Sequence, residues 1–137
     1  MKLRQAIFVT YVIFGLACSS SSPTEPIPLS ALNGQWTPSS PEVPGLSYQF
    51  TLALVDTRVT GAGLWSIPGR QPGTIAITGS TTADGVSLDL TLGYDSPGVL
   101  PFLIEHFEGT LKSATTLSGM LTFAGGSDQH TYRRVSP

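Results

Sequence analysis

A chain of 137 residues with one cysteine, and with only 12% charged residues, has room for a single domain with one core and no means of closing an internal disulfide. Seven basic side chains stand against nine acidic ones, and Arg133-Arg134 is the one adjacent pair of cations, so no basic stripe exists to follow a phosphate backbone and nucleic acid is excluded as a partner. Thr, Ser and Gly are abundant, a composition suited to strands and turns rather than helices.

In chain order, Met1-Lys2-Leu3-Arg4 carries two positive charges, the twelve residues from Ala6 to Ala17 are almost wholly apolar, and Cys18 follows. That order predicts an export signal over residues 1–17. Twelve residues make about 18 Å of helix, short of the roughly 30 Å of a hydrocarbon core, so a permanent transmembrane helix is not expected. Phe14-Gly15-Leu16-Ala17-Cys18 resembles the lipobox of bacterial lipoproteins, although Gly15 stands where leucine is usual and Leu16 lies one place later. The resemblance implies a lipidated Cys18, a membrane anchor and, with Ser19 rather than Asp next, export to the outer membrane of the cell envelope. A plain secretory signal with an incidental thiol is the alternative. Without residues 1–17 the chain keeps five basic and all nine acidic side chains, a formal charge of −4.

Residues 18–31 open with Ser19-Ser20-Ser21-Ser22-Pro23-Thr24-Glu25-Pro26-Ile27-Pro28, which offers little apolar surface and is interrupted by proline. This is the composition of a flexible, semi-extended spacer, so a β domain is expected over 32–137.

From Leu32 the punctuation is regular. Strands are expected at Gly34–Thr37, Leu46–Val55, Arg58–Ile67, Gly73–Ser80, Val86–Tyr94, Phe102–Leu111, Thr116–Phe123 and Thr131–Val135. Short turn-forming links such as Asp56-Thr57, Ala83-Asp84-Gly85 and Gly125-Gly126-Ser127-Asp128 join antiparallel neighbours, because parallel strands need crossovers of a dozen residues or more. Apolar side chains alternate: Tyr48, Phe50, Leu52 and Leu54 share one face, as do Val86, Leu88, Leu90 and Leu92, opposite Ser87, Asp89 and Thr91. Sheets with one dry face and no amphipathic helix to cover it must curl or stack. Gly61, Gly63, Gly79, Gly93, Gly109 and Gly119 fall inside strands, where glycine marks the bulges and bends of closed barrels. The expectation is an all-β fold, an antiparallel meander closed as an eight-stranded up-and-down β-barrel; a two-sheet sandwich is the alternative.

Gly34-Gln35-Trp36 on the first strand, with an arginine near the end (Arg133 or Arg134), resembles the lipocalins and the wider calycin group. The resemblance implies that the arginine packs over the tryptophan, with Trp36 as a large apolar plug at one barrel end. The C-terminal helix of typical lipocalins has no counterpart here.

Convergent chemistry is sparse. His106 and Glu108 share a strand face, and His130 would join them only if the last strand lies close, so solvent-facing histidines are expected rather than a zinc site. Glu105 alternates with Leu103, Phe107 and Leu111 and is expected to point inward, paired with Arg133 or Arg134. No Gly-x-Ser-x-Gly elbow and no phosphate-cradling loop is present. The sequence therefore reads as no enzyme, with no cofactor and no metal, but as a membrane-anchored binding or interaction module. The alternative is a lipocalin-like carrier of a small hydrophobic ligand or lipid, with Tyr48, Phe50, Trp65 and Leu90 lining its cavity. The loops best suited to a protein or ligand are Pro38–Gly45, Ser66–Pro72 and Tyr94–Pro101, each stiffened by Pro or Gly.

Overall fold

The computed structural model describes residues 25–40, 44–83, 85–94 and 100–135; the expected signal, Cys18 and the first part of the spacer lie outside them. A 3-10 turn at Leu29–Leu32 leads into eight strands: β1 (Gly34–Pro38), β2 (Ser47–Val55), β3 (Arg58–Ser66), β4 (Gly73–Thr81), β5 (Val86–Gly93), β6 (Leu103–Ser113), β7 (Thr116–Phe123) and β8 (Gly126–Arg134). Each pairs antiparallel with the next, and β1 returns to β8 through Trp36 opposite Arg134 and Pro38 opposite Tyr132. The sheet is a closed up-and-down barrel, which leaves no second layer for a sandwich.

The period-2 pattern decides the faces. Strand β5 reads buried at Val86, Leu88, Leu90 and Leu92, and β2 is buried at Tyr48, Phe50 and Leu52, as expected. The inward side chains merge into one apolar cluster that includes Leu32, Trp36, Phe50, Val59, Trp65, Ile77, Leu90, Phe107, Leu121 and Tyr132, none more than 2% exposed. Outward positions such as Gln35, Thr51, Thr60, Thr74 and Thr78 are exposed and polar. This arrangement, dry inside and hydroxyl-rich outside, is the inverse of what a lipid-facing barrel wall needs.

The strand glycines serve close approach rather than bulging. Gly109 and Gly119 face each other across β6 and β7, and a Cβ on Gly119 would lie 2.0 Å from the Glu108 carbonyl oxygen. The bare backbone lets the wall coil tightly there. The register shifts between Leu111 and Ser113 instead, at the end of β6.

One strand boundary differs by several residues from the sequence reading. Strand β8 begins at Gly126, not Thr131, because Ala124-Gly125 alone makes the β7–β8 turn and Ser127-Asp128-Gln129 pair with Met120, Leu121 and Thr122. Ahead of β1, Ala31 and Leu32 are buried within the 3-10 turn.

That turn closes one end of the barrel. The indole Nε1 of Trp36 donates to the Leu32 carbonyl at 2.8 Å, and the Arg134 guanidinium donates to the carbonyls of Ala31 and Asn33. Asn33 Oδ1 accepts from the Leu54 amide at 2.6 Å. The β2–β3 turn at Asp56-Thr57, the 82–85 connection and the 114–115 turn lie at this closed end. Residues 39–40, 44–46, 67–72, 94, 100–102 and 124–125 lie at the other, the loop end.

Candidate functional site

Three loops singled out in the sequence gather at the loop end, because every second connection of an up-and-down barrel does; their residues 41–43 and 95–99 lie outside the described residues. Beneath them, Trp65 is 1% exposed, stacks on Phe102 with ring centroids 4.8 Å apart and meets Tyr94 edge-on at 5.2 Å. Its Nε1 donates to the Gly93 carbonyl at 2.9 Å, and the Arg70 guanidinium lies 5.7 Å above the Phe102 ring. These contacts tie β3, the 67–72 segment and the 94–102 segment into an aromatic cap over the interior.

Deeper in, a second aromatic set crosses the β1 seam. The hydroxyls of Tyr48 on β2 and Tyr132 on β8 are 3.2 Å apart, and Tyr132 also packs edge-on against Phe50, Phe107 and His130. Glu105, 1% exposed, and His130, 7% exposed, bring ionisable groups into the interior.

A concavity among the described residues lies on the flank next to the loop end. A depression of about 400 Å³ is lined by Thr37, Ser47, Tyr48, Gln49, Leu64, Trp65, Ser66 and Pro72. A second, of about 190 Å³, continues down the outer wall and shares Gln49 and Leu64, adding Gln35 and Thr51. Together they form a shallow groove over β1, β2 and β3. Ser47 and Ser66 share a hydrogen bond at 3.0 Å across its upper end, and Thr37 donates to the Tyr48 carbonyl at 3.0 Å. The lining sets neutral hydroxyls and amides beside apolar side chains, among them Leu64, which is 67% exposed, and the exposed Ala62 and Pro72. The lining includes no Asp, Glu, His, Lys or Arg. Such a surface offers hydrogen bonds without a counter-charge, and so favours an uncharged ligand.

The sequence-selected residues separate accordingly. Tyr48 and Trp65 reach the wall of the larger depression, and Phe50 that of the smaller. Leu90 is fully buried within the cluster and lines neither depression; the cavity belonged to the carrier alternative of the sequence reading. Thr37, Ser47 and Gln49 carry no site signal in the sequence, whereas Ser66 opens the Ser66–Pro72 loop singled out there. The available signal was Leu64, an apolar side chain out of phase with its inward neighbour Trp65.

The charged candidates also part. His106 points outward, with Nδ1 2.7 Å from Asp89 Oδ1 and Nε2 3.4 Å from Glu108 Oε1. The hydrogen bond to Asp89, supported by Glu108 and opposed by slight desolvation, holds its pKa above the ordinary 6.5. His130 is inside rather than solvent-facing, because the strand that carries it begins at Gly126 and places even-numbered positions inward. The two histidines thus lie on opposite faces of the wall and share no site. Among the described residues no group of three His, Cys, Asp or Glu side chains could hold a metal ion. The arginines expected beside Glu105 bond elsewhere: Arg133 Nε donates to Ser39, and Arg134 donates to carbonyls at the closed end.

No family model and no curated protein matches this chain. Solved structures similar in fold include two redesigned β-barrels. One is a redesigned β-barrel, b11L5F_LGL, with TM-score 0.58 and 18% identity over 79% of this chain and 94% of that one. The other is a redesigned β-barrel, mFAP1, bound to DFHBI, with TM-score 0.56 and 18% identity over 77% of this chain and 95% of that one. At that identity the likeness is one of fold alone, and it agrees with the closed eight-stranded topology.

Proposed function

We propose that this chain is an exported, lipid-anchored, non-catalytic binding module that captures an uncharged ligand in the groove over β1–β3. The observation that carries the reading is the pairing of a buried apolar interior with an outer groove that sets the neutral hydroxyls and amides of Thr37, Ser47, Gln49, Ser66, Gln35 and Thr51 beside the exposed apolar Leu64, Ala62 and Pro72. The basic-apolar-Cys18 order of the first eighteen residues supports export and anchoring. The separation of His106 from His130 across the wall supports a non-catalytic role, since a base within reach of a nucleophile or metal is what chemistry would require.

The groove floor also narrows the ligand class. Ser47–Val55 pairs with Arg58–Ser66 at every position, so the floor has no free strand edge for a peptide to extend. Recognition falls to side chains, a mode that suits a hydroxyl-rich chain such as a neutral saccharide. Amide chemical shifts followed during titration with cellohexaose, maltohexaose and chitohexaose test this. Saturable shifts at Gln49, Leu64 and Ser66, lost in Gln49→Ala and Leu64→Ala, support the groove. Their absence with all three sugars overturns the saccharide assignment.

The second reading is an interior carrier. The observation favouring it is the solved barrel of similar fold bound to DFHBI. Titration of DFHBI and of a dansylated fatty acid decides it: saturable binding with quenching of Trp65 would move the site from the groove to the axis.

A further inference from the structure

We infer that the barrel stands on the membrane with its closed end down, so that the end plugged by Leu29–Leu32 faces the lipid and the groove and loop end face the aqueous side. The inference rests on the lipid anchoring of Cys18 proposed above and adds the orientation.

It starts from where the anchor's chain joins the fold. The segment from Glu25 runs to the closed end and is fastened there. Ile27 and Leu29 line a small depression with Ala83, Gly85, Thr110 and Leu111, all at that rim. Leu32 is fully buried, its carbonyl is held by Trp36 Nε1, and the carbonyls on either side are held by Arg134. The anchor therefore pulls on a fixed point of the closed end, not on a loose arm.

The length of the spacer does the rest. Six residues lie between Cys18 and Glu25, seven steps along the chain and about 22 Å in the polyproline II limit of ~3.1 Å per residue. A nine-residue strand such as β3, at ~3.3 Å per residue and a tilt of 35–45°, gives the wall a height of roughly 22 Å. Bringing the loop end to the lipid would need the spacer fully extended back along the whole wall, which removes its conformational freedom. With the closed end down, the same spacer keeps its slack.

The rim chemistry fits contact with headgroups. Val55 is 69% and Leu29 39% exposed, Arg58 sits opposite Val55, and Lys112 ends the outward row of β6. Asp56 stands in the same rim, so both signs are present and the spacer, rather than attraction to anionic lipid, sets the orientation. A ligand of the groove then arrives from the aqueous side and need not leave the bilayer.

The test uses the full lipidated chain in phosphatidylcholine vesicles containing a headgroup-nitroxide lipid. Lipidation blocks Cys18, so one thiol introduced as Thr57→Cys at the closed end, or as Leu100→Cys at the loop end, carries a fluorophore alone. Quenching several-fold stronger at position 57 than at position 100, unchanged when a fifth of the lipid is made anionic, is the expected result. A chain that floats with the vesicles but shows equal quenching, or stronger quenching at position 100, overturns the orientation and leaves the anchor standing. A chain that does not float with the vesicles overturns both.

Discussion

Trp36 and Arg134 stand opposite each other across the β1–β8 seam, and both spend their N–H groups on the same short turn: Trp36 on the Leu32 carbonyl, Arg134 on the carbonyls of Ala31 and Asn33. The seam that closes the barrel is thus also what holds its plug. Removing either donor leaves part-buried carbonyls without a partner, at about 1–3 kcal/mol each. Trp36→Phe and Arg134→Ala should each lower the urea-unfolding free energy by that order. Because both act through one turn, the double variant should lose less than the sum of the two. Additive losses would mean that the two side chains hold different things.

Strand β5 gives a test of the inside and outside faces. Leu88→Ala and Leu90→Ala, both at fully buried positions, should each cost about 2–5 kcal/mol. Asp89→Ala lies between them on the exposed face and should cost no more than about 1 kcal/mol, the range of exposed ion pairs. A loss at Asp89 equal to that at the leucines would reverse the assignment.

What the sequence makes legible follows from where hydrophobic alternation is strong. Strands β2, β5 and β7 carry Leu, Val, Phe or Tyr at every inward position but the glycines, so their faces and partners are readable. The first half of β8 is not. Its outward Ser127 and Gln129 and inward Asp128 carry no apolar signal, because this stretch lies near the loop end where the inward face is still wet. Losing those residues also hid His130, whose inward position depends on counting from Gly126. Tyr48, Phe50, Trp65 and Leu90 were correctly read as inward, but alternation reports a face and not the space behind it. Whether a barrel is hollow depends on how side chains from facing strands meet, and that lies beyond any pattern along one strand. The groove was hidden for the converse reason: Ser, Thr and Gln on a wet face resemble ordinary solvation until register sets them side by side.

Glycine substitutions should reverse their usual sign. Gly→Ala at a compatible position stabilises by about 0.4–1 kcal/mol through the unfolded state. At Gly63 a Cβ would lie 2.1 Å from the Gln49 carbonyl oxygen, so Gly63→Ala must push β3 off β2 and should cost about 1–3 kcal/mol, as overpacking does. Gly93→Ala is the control, since its Cβ would meet nothing nearer than Pro101 Cα at 3.8 Å. Equal thermal shifts for the two would remove close approach as the reason for glycine in these strands.

The outward His106 should make stability fall as pH rises past neutrality. Its pKa is held above 6.5 in the fold, chiefly by Asp89. The stabilisation is therefore complete below 6.5 and is lost as pH rises through the raised folded value. The ring is solvent-accessible, so the effect is small. A histidine Cε1 proton titration should give a midpoint above 6.5 that drops in Asp89→Asn. A wild-type midpoint at or below 6.5 would contradict the geometry.

The occupied axis is the claim on which the choice between groove and carrier turns, and it can be tested by making the hollow that the wild type lacks. Phe107 is fully buried and packs edge-on against Tyr132 with centroids 5.1 Å apart. Phe107→Ala should cost about 3–5 kcal/mol and leave an apolar void, and voids of that kind stay dry and admit benzene or xenon. The variant should bind benzene saturably and recover stability as benzene is added, because a ligand that binds only the folded state stabilises it by mass action. The wild type should show neither effect. Saturable benzene binding by the wild type would mean that the axis holds space already, and the site would then belong inside the barrel, beneath Trp65, instead of on its flank.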